Sequence, residues 1–148
     1  MSLEQKIHQD LKAAMIAKDE ARLSTIRFLK SAMKYAAIEK KAETFSDAEI
    51  QQLVQKQIKQ RRESIDQFAK AGRRELAEKE EKEVHVLLEY LPKQLTDAEL
   101  GTALEGLVKE SGISSKKDFG KAMKLSAEKL AGQAEPKRIS EALGKILQ

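Results

Sequence analysis

A single proline does most to limit what this chain can fold into. Before the triplet Tyr90-Leu91-Pro92, apolar residues recur at steps of three and four from Leu3 onward, with no internal proline to interrupt them. Proline cannot donate a backbone hydrogen bond, and it disfavours helix in the residue before it. The long helical region must therefore end near Leu91, and a second helical part follows with its own start signals. The expectation is an all-α chain in two parts. Residues 1–92 make an N-terminal domain of about four helices that includes a long helical hairpin. Residues 93–148 make a three-helix C-terminal domain.

The helices can be placed by their stripes and caps. Leu3, Ile7, Leu11, Ala14 and Met15 mark a first helix, and Lys18-Asp19-Glu20 marks the turn after it. Leu23, Ile26, Leu29, Ala32, Met33 and Ala36 mark a second. Ser46-Asp47-Ala48-Glu49 and Thr96-Asp97-Ala98-Glu99 have the spacing of capping boxes, in which the hydroxyl and the carboxylate three residues later satisfy each other's backbone donors. Gly72 suits the turn between a third helix, striped by Ile50, Leu53, Val54, Ile58 and Ile65, and a fourth running to Tyr90. Ser114 or Ser115 is expected to cap a sixth helix, and Pro136 to open a seventh.

Composition closes off several classes of function. Aromatic residues are 4% of the 148 and tryptophan is absent, so the cores must be aliphatic. With no cysteine, a disulfide framework, a thiol nucleophile and cysteine-bound zinc are excluded. No run of about 18 apolar residues offers a membrane span, and the first residues lack an apolar signal core. The expectation is a cytosolic protein, monomeric by default. His8 and His85 are isolated, and no metal-ligand spacing, phosphate loop or nucleophile elbow occurs. No cofactor, no metal and no catalytic residue is expected.

Two charge patterns stand out. Arg61 falls on the apolar stripe of the third helix, while Glu80 and Glu83 fall on that of the fourth. Arg61 and Glu83 lie equally far from Gly72, so they can meet across a hairpin. This is either a structural ion pair that fixes register or part of a functional site. The second pattern is basic, in a chain of net charge +4. Arg27, Lys30, Lys34 and Lys41 follow the second helix, and Lys59 and Arg62 belong to a basic stretch on the third. Lys116, Lys117, Lys121, Lys124, Lys137 and Arg138 concentrate charge near the C-terminus, around Gly120. Such a surface is either an ordinary solvated face or one that tracks phosphates. Gly120 either permits close helix packing or lies at a nucleic-acid contact. No aromatics accompany these lysines, which favours recognition of shape and phosphate over base stacking.

Several motifs, in this order, resemble the GatB/YqeY family over essentially the whole chain. They are Arg22-Leu23-Ser24-Thr25-Ile26-Arg27-Phe28-Leu29-Lys30-Ser31-Ala32, then Ile58-Lys59-Gln60-Arg61-Arg62-Glu63-Ser64-Ile65 with Ala71-Gly72-Arg73, then Glu80, Glu83 and Tyr90-Leu91-Pro92, and finally Asp118-Phe119-Gly120-Lys121-Ala122-Met123. One departure is Gly132-Gln133-Ala134-Glu135-Pro136, where the family pattern has Gly-x-Ala-Asp-Gly. The resemblance implies a helical domain followed by a three-helix domain like the tail of the B and E subunits of tRNA-dependent amidotransferases. In those enzymes the tail helps hold tRNA, while separate domains activate the acid and release ammonia. It therefore implies an accessory module that binds tRNA. The alternatives are a module that docks a protein partner, an amidotransferase among them, and a component of carbon–nitrogen ligase activity with glutamine as amido donor.

Overall fold

The computed structural model describes residues 1–147. Seven α-helices form among them: α1 Leu3–Ala17, α2 Glu20–Lys40, α3 Asp47–Lys70, α4 Arg74–Leu88, α5 Asp97–Ser111, α6 Phe119–Lys129 and α7 Pro136–Ile146. A short 3-10 turn, Lys116–Asp118, leads into α6. The described residues contain no strand, and the chain is all-α. It divides into two compact units, Met1–Leu91 and the residues from Pro92 onward.

Local chemistry sets the helix starts. Ser2, Ser46 and Thr96 each close a capping box, with Gln5, Glu49 and Glu99 respectively. Asp19 caps α2 by accepting from the Arg22 N–H. These bonds satisfy donors that the first helical turn leaves open. The Glu49 carboxyl is held below the usual carboxylate range by its bond from Lys40, and then by the Ser46 N–H. Glu99 is held low by the Thr96 N–H. Such depressed carboxyls contribute stability at neutral pH, and it is lost as pH falls through their folded-state range.

The helix ends hold more surprises. α1 and α2 stop at lysines in the left-handed conformation, Lys18 at φ 57° and Lys41 at φ 55°. At the α3–α4 turn the left-handed residue is Gly72, at φ 73°. α4 ends at Leu88 and not at Tyr90. From Glu89 to Leu91 each N–H reaches back only three residues, to Val86, Leu87 and Leu88 in turn. The chain tightens before Pro92 because proline makes α conformation costly for Leu91. The sixth helix also starts differently from the expectation. Ser115 precedes the 3-10 turn but its side chain accepts no capping hydrogen bond, and α6 proper begins at Phe119.

Unit 1 is a four-helix arrangement in which α3 and α4 form a long antiparallel hairpin. Ile7, Ile26, Leu29, Ile50, Val54, Ile58, Val84, Leu87 and Tyr90 fill its core. Tyr90 is fully buried, and its hydroxyl donates to Asp10 Oδ2 at 2.7 Å. Arg22 forks onto Glu89, tying the start of α2 to the end of α4. In unit 2, α5, α6 and α7 enclose Leu100, Leu104, Ile113, Ala122, Ile139, Leu143 and Leu147. Leu95 N–H donates to Gln133 O at 2.9 Å, joining the segment before α5 to the α6–α7 turn.

Burial, and then the bond to Asp10, push the Tyr90 phenol well above its ordinary value. A folded-state value above the unfolded one means that the native state keeps the proton longer. Stability from this group is complete below pH about 10 and falls as pH rises beyond it, once the unfolded tyrosine ionises. Tyr90→Phe is expected to remove that component of the alkaline loss. The check is a comparison of urea midpoints at pH 8 and at pH about 10.5 for both proteins.

Candidate nucleic-acid interface

Unit 2 carries six of the basic residues singled out above, and the structure separates them by role. Lys116 and Lys117 sit in the 3-10 turn, while Lys121 and Lys124 sit on α6. All four side chains are exposed. Lys121 and Lys124 are three residues apart on α6, so they share one helical face. From Lys116 to Lys129 there are five lysines against Asp118 and Glu128, which leaves the segment strongly positive.

α6 begins without a side-chain cap. The 3-10 turn runs directly into the helix, and the first of its N–H groups, that of Phe119, donates to Lys116 O. Gly120 is the second residue of that helix and is exposed. A Cβ added there would meet nothing within 4 Å, so close helix packing does not account for it. The backbone at this point is open to an approaching ligand.

Other basic residues are committed to the fold. Arg138 donates to Leu95 O at 2.7 Å and to Asp97 Oδ1 at 2.8 Å, clamping α7 to the start of α5. Its guanidinium is engaged by these fold contacts, which leaves it less available to a phosphate than the exposed lysines. Lys137 is exposed in the first turn of α7. On unit 1, Lys59 is exposed on α3, but Arg62 bonds Glu81 at 2.7 Å across the hairpin. The Lys59–Arg62 face is less available to phosphates than its charge pattern suggests.

The α3–α4 hairpin is held by a charge cluster. Arg61 donates to Glu80 at 3.0 Å and also bonds Glu83. Side-chain exposure is 12% for Arg61, 6% for Glu83 and 24% for Glu80. The guanidinium also lies over the Phe28 ring, 5.3 Å from its centre. Beside this cluster, Gln57 is buried at 4% exposure. Among the described residues neither of its amide atoms has a hydrogen-bond partner, and neither does Arg61 Nε. Gln57 was not singled out from the sequence. The available signal was a second polar residue, next to Arg61, on the stripe of Ile50, Val54, Ile58 and Ile65.

Among the described residues, no group of His, Cys, Asp and Glu is placed to hold a metal ion, and no helix is long and apolar enough to cross a membrane.

The sequence model of the Yqey-like protein family matches residues 4–147, and the chain belongs to that family. Curated relatives include proteins named "Altered inheritance of mitochondria protein 41, mitochondrial". The Lachancea thermotolerans protein is 36% identical over 70% of this chain and 57% of its own length. The Kluyveromyces lactis protein is 37% identical over 78% of this chain and 66% of its own. The Eremothecium gossypii protein is 38% identical over 57% of this chain and 46% of its own. The chain thus spans between about half and two thirds of the length of these relatives. Their names also overturn the expectation of a cytosolic protein, since they are called mitochondrial. The physical reason is that a cysteine-free aliphatic helical body suits either compartment, so composition alone does not choose between them.

Proposed function

We propose that the C-terminal unit is an RNA-binding head that grips the phosphate backbone of a folded RNA, with tRNA as the partner class. The observation that carries this reading is the cluster of exposed Lys116, Lys117, Lys121 and Lys124 around the uncapped start of α6, where Gly120 leaves the backbone open. Each lysine that neutralises a phosphate releases a condensed counterion, so binding gains entropy and weakens steeply with salt. Recognition then rests on the spacing of phosphates presented by a folded RNA. tRNA is favoured by the resemblance of this head to amidotransferase tails.

The test is a titration with tRNA and with an unstructured RNA of equal length at two salt concentrations. Lys121→Glu/Lys124→Glu is expected to weaken tRNA binding by roughly tenfold at low salt, and to reduce the salt slope by about two. Absence of binding to either RNA at low salt sinks the reading, as does a double variant that binds like the parent.

A second reading, docking of a protein partner, is favoured by α2. That helix exposes Phe28, Tyr35 and Ile38, with exposures of 57%, 73% and 67%. Exposed aromatic and aliphatic side chains spaced seven and three apart suit a partner helix laid along α2. If RNA fails to bind, Tyr35→Lys/Ile38→Lys becomes the variant to compare in pull-downs with amidotransferase subunits.

A further inference from the structure

The buried Gln57 is among the residues lining an open cleft of about 330 Å³ between α2, α3 and α4. A carboxamide offers a donor and an acceptor side by side in one plane. Buried polar atoms in folded proteins are nearly always paired. Here both atoms of that edge lack a partner among the described residues, and Arg61 Nε beside them lacks one as well. The cleft thus runs beside a hydrogen-bonding edge that the protein itself does not use; both amide atoms lie beneath the surface, so a ligand meets them when the Gln57 side chain turns outward.

The charges around that edge describe what it would accept. Arg61 and Lys79 are balanced by Glu80 and Glu83, all of them lining the cleft. A site without net charge selects a neutral polar group and not a bare anion. The wall is aromatic. Phe28 is more than half exposed, and Arg61 lies over its ring. Phe28 also borders a second hollow of about 570 Å³, whose lining includes Arg27, balanced by Glu20, together with Ser24 and Ser31. A neutral planar edge-binder at the base, a ring to stack on and a polar hollow next door together match a base and its ribose.

We propose that this cleft binds a single unstacked adenine nucleotide. The adenine N6–H and N7 pair with the Gln57 carboxamide, the pairing that glutamine makes with adenine through geometry alone. The base lies against Phe28, as unpaired bases lie on aromatic side chains in RNA-binding proteins. Its ribose extends toward the second hollow, beside Ser24 and Ser31. The site lies in unit 1 and does not depend on the lysine head. The adenine is supplied either by a free nucleotide or by an extruded residue of an RNA.

The experiment is a titration of the isotope-labelled full chain with adenosine, AMP and a short oligoadenylate, followed through backbone amide shifts. Saturable changes centred on Ser24, Phe28 and Gln57 are expected. 7-Deazaadenosine lacks N7 and inosine lacks the N6–H, so each is expected to bind about five- to hundredfold more weakly than adenosine. These analogues test the pairing on the unaltered protein. Gln57→Leu and Phe28→Ala are each expected to lose about fivefold or more in adenosine affinity. Response to the oligoadenylate alone assigns the site to RNA, and equal response to AMP assigns it to the free nucleotide. No saturable change with any of the three at millimolar ligand overturns the proposal. Indifference to N7 and N6–H, or an unchanged Gln57→Leu, also overturns it and makes Gln57 a solvent-satisfied core residue.

Discussion

Arg61→Met is expected to destabilise the N-terminal unit by about 3–5 kcal/mol, the range for breaking a buried ion pair from one side. Methionine keeps most of the stem that packs beside Phe28, so the loss isolates the charge from the packing. The exposures decide where the cost falls. Glu80 is 24% exposed and can recover water, whereas Glu83 at 6% cannot. Most of the penalty is therefore an uncompensated Glu83 carboxylate inside the hairpin. The pair itself contributes much less than the variant loses, because ordering and desolvating both charges offset most of their attraction.

That distinction gives the prediction its second arm. Arg61→Met/Glu83→Leu, which removes both buried charges, is expected to recover most of the lost stability. The measurement is urea unfolding followed by tyrosine emission. Both tyrosines, Tyr35 and Tyr90, lie in unit 1, so the signal reports that unit without contribution from the other. A loss below about 1 kcal/mol for Arg61→Met would place the cluster with ordinary surface salt bridges. A double variant as unstable as the single one would show that the charges specify the hairpin and not merely each other.

The same cluster shows what a sequence can and cannot reveal. Equal spacing from Gly72 was enough to set Arg61 opposite Glu83, because a hairpin of two helices converts sequence distance into spatial register. Capping boxes were legible for a similar reason: Ser46 with Glu49 and Thr96 with Glu99 are contained within four residues. Arg138 was not legible as a clamp. Its partners, Leu95 O and Asp97, lie more than forty residues away and are brought near only by the packing of α5 against α7. Arg62 and Glu81 are only 19 residues apart, on either side of Gly72, so the hairpin register that set Arg61 opposite Glu83 offered this pair as well. Lys18 and Lys41 were hidden for a different reason. Left-handed caps usually fall to glycine, and a lysine there is tolerated only because the helix's last carbonyls find donors in the cap and the residue after it. In the lysine head, the residues were legible but the uncapped start of α6 was not, since Ser114 and Ser115 look like cap residues.

Gln57→Leu is expected to raise the stability of unit 1 by about 1–3 kcal/mol, the reverse of the usual sign for a core substitution. Leucine is close to glutamine in size and suits the neighbouring Val54 and Ile58, so the packing changes little. What disappears is a donor and an acceptor held away from water without partners in the protein, together with their desolvation cost. The check is again urea unfolding by tyrosine emission, with Gln60→Leu at an exposed position of the same helix as the control. A stability gain shared by the control would point to helix propensity and not to burial. A loss at Gln57 would mean that the amide is satisfied in solution and supports the fold. A gain confined to Gln57 would identify a residue kept against the stability of its own helix. Such a conflict between local stability and residue type is what a binding site leaves behind, because the missing partner is supplied by the ligand.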